Sequence, residues 1–158
     1  MKNDHGLREH LLYLLKGDGA HLEFDAAVKD IPANIRAQRP SGAAHSPWEV
    51  LEHLRITQRD VLDSIRNPNH ASPDFPAGYW PGAPAPPDSK AWSASADAFR
   101  ADLGALVGMA ADGSTDLLAP LPQGDGQTIL RKLLMLSDHN SYHVGQLVLL
   151  RRLLGAWQ

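Results

Sequence analysis

Two histidines near the C-terminus, His139 and His143, lie four residues apart in the longest helical pattern of the sequence. A step of four residues returns to the same face of a helix, so their imidazole rings lie side by side. The same face carries Leu136, Gln146, Leu147, Leu150 and Leu154. This pattern predicts that both rings point into the protein interior. Burying two imidazoles without partners would cost about 1–3 kcal/mol for each. One shared divalent metal ion would satisfy both, and hydrogen bonds to Asn140, Gln146 or backbone groups are the alternative.

His53 is the candidate for a third metal ligand. It lies at the edge of the apolar stripe of a second predicted helix, a stripe formed by Leu51, Leu54, Val61 and Ile65. A histidine in such a position, taken alone, is more often a hydrogen-bonded core residue. Because two ligands leave a metal site incomplete, the His139 and His143 pair favours the reading of His53 as a ligand.

Several other polar residues are close enough in sequence to take part. Asp60 lies two turns after His53, and we expect it to accept a hydrogen bond from a ligand, to act as a general base, or to sit at a solvated edge. Gln146 is predicted to hydrogen-bond a ligand histidine. Glu49 is assigned to the cap of its own helix. His5, His10 and His70 are expected on the surface. His21 and His45 flank the crossover and are expected in solvent-exposed loops, with a place at the mouth of the site as the alternative.

Four amphipathic segments position these residues. The first predicted helix runs from a cap at Asp4 to Lys16, and the second from Ser46 to about Arg66. Ser46, Pro47 and Glu49 form a capping box, the strongest start signal in the chain. The third helix carries Trp92 to Ala110 and stops at Gly113, and the fourth runs from a cap at Thr128 to about Leu154.

The connections between these helices are long. Residues 24–31 have helical periodicity that Pro32 and Pro40 interrupt, which predicts a crossover of short helices. Residues 67–90 are rich in proline and contain Phe75, Tyr79 and Trp80, which indicates an ordered wrap over the bundle. Leu117 to Leu121 is the one stretch that could be extended. The predicted fold is therefore an all-α four-helix bundle in one domain, residues 1–158.

Composition excludes several classes of function. The chain has 158 residues, a formal net charge of −3 and no cysteine. Its basic residues form no run, so nucleic-acid binding is not expected. Without cysteine, any thiol chemistry requires a thiol from outside the chain. No apolar run reaches the length of a signal sequence core or a membrane span, which makes a cytoplasmic location the default expectation.

The motifs as a set resemble those of the DinB-like superfamily. The resemblance rests on residues 138–146 (DHNSYHVGQ) with the leucine-rich stretch after them, on Ser46-Pro47-Trp48-Glu49 leading to Glu52-His53-Leu54, and on Tyr79-Trp80-Pro81 and Gly126-Gln127-Thr128. It implies an up-down-down-up bundle, a homodimer, and a nickel or zinc site formed by His53, His139 and His143.

The resemblance also implies a class of activity. Some relatives are transferases or isomerases that use a small thiol as nucleophile, and this is the preferred hypothesis here, with the mouth of the bundle near Trp48 or Tyr142 as the substrate wall. A metal-binding or stress-related interaction module without turnover is the second hypothesis. A metal-dependent hydrolase is the third, and it requires a carboxylate base, for which Asp60 is the candidate.

Overall fold

The computed structural model of the protein describes residues 2–17, 19–122 and 125–157. These residues contain five α-helices: α1 (Lys2–Lys16), α2 (Phe24–Val28), α3 (Pro47–Arg66), α4 (Ala91–Ala111) and α5 (Ile129–Leu153). Short 3₁₀ helices cover Ala33–Ile35 and Ala77–Tyr79. Within the described ranges there is no β-strand, and the only extended pairing is an isolated bridge between Pro120 and Thr128. The all-helical prediction is confirmed.

The start of α3 follows from its capping box. The Ser46 hydroxyl accepts a hydrogen bond from the Glu49 backbone N–H, and the Glu49 carboxylate accepts one from the Ser46 backbone N–H. Pro47 occupies the first helical position, where no backbone donor is needed. Since the cap fixes the first turn of α3, it also fixes the face on which His53 emerges.

The other predicted helix boundaries agree with the structure to within about two residues, with one exception. The Thr128 hydroxyl caps α5 by accepting from the Arg131 backbone N–H. The prediction of Asp4 as the cap of the first helix is wrong, because α1 already begins at Lys2. Asp4 instead lies in the first turn and binds the Arg8 guanidinium one turn later, at 3.0 Å.

Side-chain contacts define the directions of the long helices. Along α3 and α4 the numbers of paired residues rise together, from Glu52 with Ser95 to Arg59 with Asp102, so these helices are parallel. Between α3 and α5 they run in opposite senses, because His53 meets His143 while Gln58 meets Asn140.

Helix α1 is antiparallel to α4. Arg8 binds the Ala110 carbonyl, whereas Leu15 lies beside Leu103 in one crevice. The order is therefore up-down-down-up, as the resemblance implied.

The parallel pairing of α3 and α4 explains the long segment that joins them. Helix α3 has 20 residues and therefore a length of about 30 Å. The chain must travel back over that distance before α4 can start in the same direction. Residues 67–90, named the return segment here, make this journey along the outside of the bundle, and midway they place Tyr79 and Trp80 against α3.

The interior consists of two apolar clusters with polar side chains between them. One cluster contains Leu51, Leu54, Phe99, Val144 and Leu147, and the other contains Leu11, Val61, Leu106, Leu133 and Leu136. Gln58 is fully buried and lies in sequence between the α3 members of the two clusters. The polar layer is thus built into the middle of the bundle.

We found no membrane-spanning candidate in the described residues: each of their helices is too short or too polar to cross a bilayer.

Candidate metal centre

His53 of α3 and His139 and His143 of α5 meet in the polar layer. The Nε2 atom of His53 lies 2.9 Å from Nε2 of His139 and 3.1 Å from Nε2 of His143. One ligand atom from each residue lies within 4.8 Å of the others. Two nitrogens that bind the same zinc-type ion at about 2.0–2.1 Å are separated by roughly 2.9–3.4 Å. The spacing of these nitrogens therefore fits a single ion.

Each ring uses its other nitrogen, Nδ1, for a hydrogen bond to the protein. Nδ1 of His53 donates to the backbone carbonyl of Tyr79 at 2.8 Å, and Nδ1 of His143 donates to Oε1 of Gln146 at 2.8 Å. Nδ1 of His139 faces Oδ1 of Asn140 at a longer 3.4 Å. Outer hydrogen bonds of this kind fix the tautomer and the orientation of metal-bound histidines.

A buried chain of amides sets the orientation of Asn140. The Phe99 backbone carbonyl can only accept, so the Gln58 amide N–H must face it, at 2.6 Å. Oε1 of Gln58 then faces Nδ2 of Asn140 at 3.0 Å, which leaves Oδ1 of Asn140 turned to His139. The carbonyl of Phe99 on α4 thereby determines which ring nitrogen of His139 carries the proton.

These hydrogen bonds are the test of whether the three histidines fit a metal. A neutral histidine that donates from Nδ1 has a bare lone pair on Nε2. The lone pair of His53 then faces those of His139 and His143 across 2.9 and 3.1 Å. That arrangement is repulsive unless a cation lies between them, so the donor set fits a divalent metal ion.

The electrostatic environment keeps the rings neutral. Burial, reinforced by the neighbouring imidazoles, lowers the pKa of both His139 and His143 to about 4. Burial also lowers the pKa of His53 below its usual value. Because a metal binds the deprotonated imidazole, these shifts prepare the site for a metal at neutral pH.

Trp80 of the return segment covers the His53 side of the site. Its ring stacks between two imidazoles, 4.0 Å from the His53 ring and 3.7 Å from the His45 ring, nearly parallel to both. Asp60 anchors the same segment, accepting from the Tyr79 hydroxyl at 2.9 Å and pairing with Nε2 of His70 at 2.7 Å. The return segment thus holds His53 by a stacked ring and by a backbone carbonyl.

The structure brings some of the predicted site residues to the triad and keeps others away. Gln146 contacts His143 directly, as described above. Asp60 contacts no triad histidine and is linked to His53 only through Tyr79. Glu49 caps its helix and also binds Arg39.

The two aromatic residues suggested as a substrate wall have different environments. Tyr142 is 64% exposed and meets the His143 ring edge-on at 4.9 Å. Trp48 is buried in the apolar cluster of Leu51 and Leu54, so the prediction that it forms a wall of the site is wrong.

Two histidines expected in solvent are packed instead. The side chain of His70 is only 18% exposed, because Asp60 binds it. His45 is half-buried because it stacks on Trp80. His5, His10 and His21 are exposed as predicted, although His21 also contacts the Ser141 hydroxyl. His45 and His70 were predicted wrongly because their partners, Trp80 and Asp60, are distant in sequence, and local patterns do not reveal such contacts.

Sequence reasoning also missed the hydrogen-bond chain that runs from the Phe99 carbonyl through Gln58 to Asn140, although the sequence contained a signal for it. Gln58 falls on the apolar stripe of α3, four residues after Leu54 and three before Val61. A lone amide on such a stripe needs buried partners. The roles of Tyr79 and Trp80 had no comparable signal, since a loop has no periodicity from which to infer a direction.

The fold and site together define a class: a helical bundle with a three-histidine cluster that could hold a metal ion. Comparison with family models places the chain more closely, because the model of the DinB superfamily matches residues 18–147. The protein belongs to the DinB superfamily. A search of curated proteins gave no match, and a search of solved structures gave none either.

Proposed function

We propose that this protein is a metal-dependent enzyme that directs a small external thiol onto an electrophilic substrate. The observation that carries the proposal is the convergence of three neutral imidazoles whose outer nitrogens are all engaged. Three protein ligands leave coordination positions for other molecules, which is typical of catalytic rather than structural sites. Zinc or nickel is the proposed metal, since imidazole suits both.

The bound ion would supply Lewis acidity that favours the thiolate form of a thiol placed next to it. The protein's own residues have defined tasks. His53, His139 and His143 would hold the ion, and Gln146 would hold the ring of His143. Asp60 would act at a distance, by anchoring the return segment that orients His53.

The thiol must come from outside, because the chain has no cysteine. In the proposed reaction the thiol releases its proton to solvent water, and its sulfur forms a bond to the electrophilic carbon. The bond from that carbon to the leaving group breaks, and the leaving group departs with the electron pair. The choice of a thiol as nucleophile rests on the resemblance to thiol-dependent members of the superfamily.

Hydrolysis has less support from the geometry. A metal-dependent hydrolase needs a carboxylate base near the attacking water. Both oxygens of Asp60 are taken by His70 and Tyr79. Among the described residues, the cluster that could hold a metal contains histidines alone.

The proposal is tested by elemental analysis followed by an activity screen. We expect about one equivalent of zinc or nickel in the purified protein, little in His143→Ala, and the wild-type content in His5→Ala, whose side chain is 80% exposed. The metal-loaded protein is then incubated with glutathione, mycothiol or bacillithiol and a chlorinated aromatic electrophile.

Product formation that requires both the thiol and the metal supports the enzyme. A protein that binds metal but turns over none of these thiols would instead be the binding module, and a protein that takes up no metal would overturn the proposal. A homodimer and a cytoplasmic location stay predictions, the first to be checked by light scattering after size-exclusion chromatography.

A further inference from the structure

A cavity of about 310 Å³ lies next to the candidate metal centre, between the loop before α3 and the C-terminal half of α5. Val50 and Leu150, both buried, form its floor, and Leu149 and Leu153, each 56% exposed, form one side. The loop side consists of the small residues of segment 41–44. Such a surface suits the apolar part of a small molecule, and the volume is at the lower end of the range for ligand sites.

Two polar side chains line the cavity, and both lead to the triad. Gln146 uses Oε1 to accept from Nδ1 of His143, while its Nε2 amide has no hydrogen-bond partner among the described residues. His45 stacks on Trp80, which in turn stacks on His53. Gln146 alone therefore separates the cavity from His143, whereas His45 and Trp80 together separate it from His53.

The unused donor of Gln146 specifies the polar part of the ligand. A primary amide has two N–H donors, and a carbonyl or carboxylate oxygen, with two lone pairs, is an acceptor that matches them. No Lys or Arg side chain lines the cavity, so nothing there calls for a negative charge. Nδ1 of His45 is buried without a hydrogen-bond partner in the described part of the chain, and Oε1 of Glu49 lies 4.0 Å from it.

We propose that this cavity binds the electrophilic substrate, an uncharged molecule in which a carbonyl group and a short apolar chain accompany the carbon that bears the leaving group. The chain packs against Leu149, Leu150 and Leu153, and the carbonyl oxygen accepts from Nε2 of Gln146. Because the same amide holds His143, an occupied cavity is coupled to the orientation of a metal ligand. The chemical role of the bound molecule rests on the proposed function, whereas its binding can be tested separately.

The test is a titration of the protein, metal-loaded and metal-free, followed by NMR of the ¹⁵N-labelled side-chain amides. The probes are 2-butanone, 2-hexanone and 2-octanone, which carry the carbonyl and the chain but no leaving group and therefore report binding alone. We expect the Gln146 amide signals to shift and the affinity to rise about fourfold for each added methylene until the cavity is full. The signals are assigned by their absence in Gln146→Glu. That variant keeps an acceptor for His143 but loses the donor, and it should weaken all three ketones by about three- to tenfold.

A second pair of variants separates the cavity from non-specific apolar binding. Ala44→Trp fills the cavity from the loop side and should abolish the dependence on chain length. Leu134→Trp is the matched control, because Leu134 is an exposed leucine of α5 outside the cavity, and it should behave as the wild type. A dependence on chain length that survives in Ala44→Trp, or that is absent from the wild type, would overturn the inference.

Metal content distinguishes failure of the cavity inference from failure of the proposed function. Ala44→Trp and Leu134→Trp should both retain about one equivalent of metal. If the wild type binds the ketones as expected but takes up no metal, the cavity stands and the proposed function fails. If it binds metal but shows no ketone binding in the cavity, only this inference fails.

Discussion

The two halves of the candidate metal centre are supported in different ways. On α5, His139 and His143 donate their outer hydrogen bonds to Asn140 and Gln146, which lie one and three residues further along the same helix. On α3, His53 depends on the return segment, whose Tyr79 is 26 residues away in sequence. The α5 half is therefore largely local, while the α3 half forms only when the return segment is in place.

The largest effects should come from removing a ligand from each half. His53→Ala and His143→Ala should each lower the metal content from about one equivalent to less than about a tenth, because two imidazoles do not complete the site. The metal-free variants should differ from each other. His53→Ala also removes the partner of the Tyr79 carbonyl and one face of the Trp80 stack, so its melting temperature should fall by several degrees more than that of His143→Ala.

Elemental analysis and calorimetry of the metal-free proteins measure these two quantities, with His5→Ala as the control. Equal melting temperatures for the two ligand variants would contradict the idea that His53 and the return segment stabilise each other.

A smaller effect is expected when the return segment loses its anchor but every ligand stays. Asp60→Ala removes the partner of both the Tyr79 hydroxyl and His70. The carbonyl that orients His53 then becomes less fixed, and zinc affinity should fall by about 10- to 100-fold. Competition with a coloured chelator measures the affinity.

Tyr79→Phe serves as the graded companion of that variant, since it removes only one of the two hydrogen bonds of Asp60. It should weaken zinc binding by less than tenfold. If Asp60→Ala binds zinc as tightly as the wild type, the return segment does not position His53.

The orientation of His139 on α5 can be changed by a substitution on α3, because Gln58 of α3 orients Asn140. Gln58→Leu removes the group that orients Asn140 and the side-chain donor to the Phe99 carbonyl. Zinc affinity should fall by about tenfold, which is the lower limit of the effect expected when a metal-binding histidine loses its hydrogen-bond partner. The lower limit applies because the contact between Asn140 and His139 is already long, at 3.4 Å. Long-range ¹H–¹⁵N spectra should also show that the fixed tautomer of His139 is lost.

Thr57→Val provides a control next to Gln58 on α3. The Thr57 hydroxyl is buried and has no partner among the described residues, so its removal should leave both the zinc affinity and the tautomer unchanged. An unaltered His139 tautomer in Gln58→Leu would show that this hydrogen-bond chain has no influence on the ligand.

The smallest effect is the response of the metal-free protein to pH. His139 and His143 have a folded-state pKa of about 4, below their ordinary value of 6.5. Between these values the unfolded chain binds more protons than the folded one, so stability is complete above about pH 6.5 and is lost as the pH falls towards 4. The melting temperature of the metal-free protein should drop by about 5 °C between pH 7 and pH 5.

His143→Ala, which has one buried imidazole fewer, should show a weaker dependence on pH over the same range. If the melting temperature of the metal-free wild type rises on acidification, the pH dependence has the opposite sign to the one expected. That result would contradict the burial of neutral imidazole rings.

Much of the fold could be predicted from sequence because its signals are local. The capping box gives the start of α3 to the residue, and the spacing of His139 and His143 places both on the inner face of α5. The beginning of α1 was less well defined, because Asp4, which the sequence pattern offered as its cap, lies inside the first turn of the helix.

The clustering of the three histidines was predictable from the sequence, and the surroundings of the cluster were not. Gln146 lies three residues from His143, so helical spacing alone suggests their contact. Trp80, His45 and His70 meet their partners only through the course of the return segment, and that course depends on the parallel packing of α3 and α4. Gln58 lies between these cases, because its position on an apolar stripe was visible but its partners were not.

The stacking of Trp80 on His53 gives the protein an optical reporter of its own. The chain has four tryptophans, and Trp80 is the one that stacks on a triad imidazole in the described part of the chain. Nickel bound by His53 would lie close enough to quench its fluorescence, whereas zinc, with a filled d shell, would leave the emission largely intact. Titration of the unlabelled protein would then follow loading of the centre in real time, and Trp80→Phe would remove the signal.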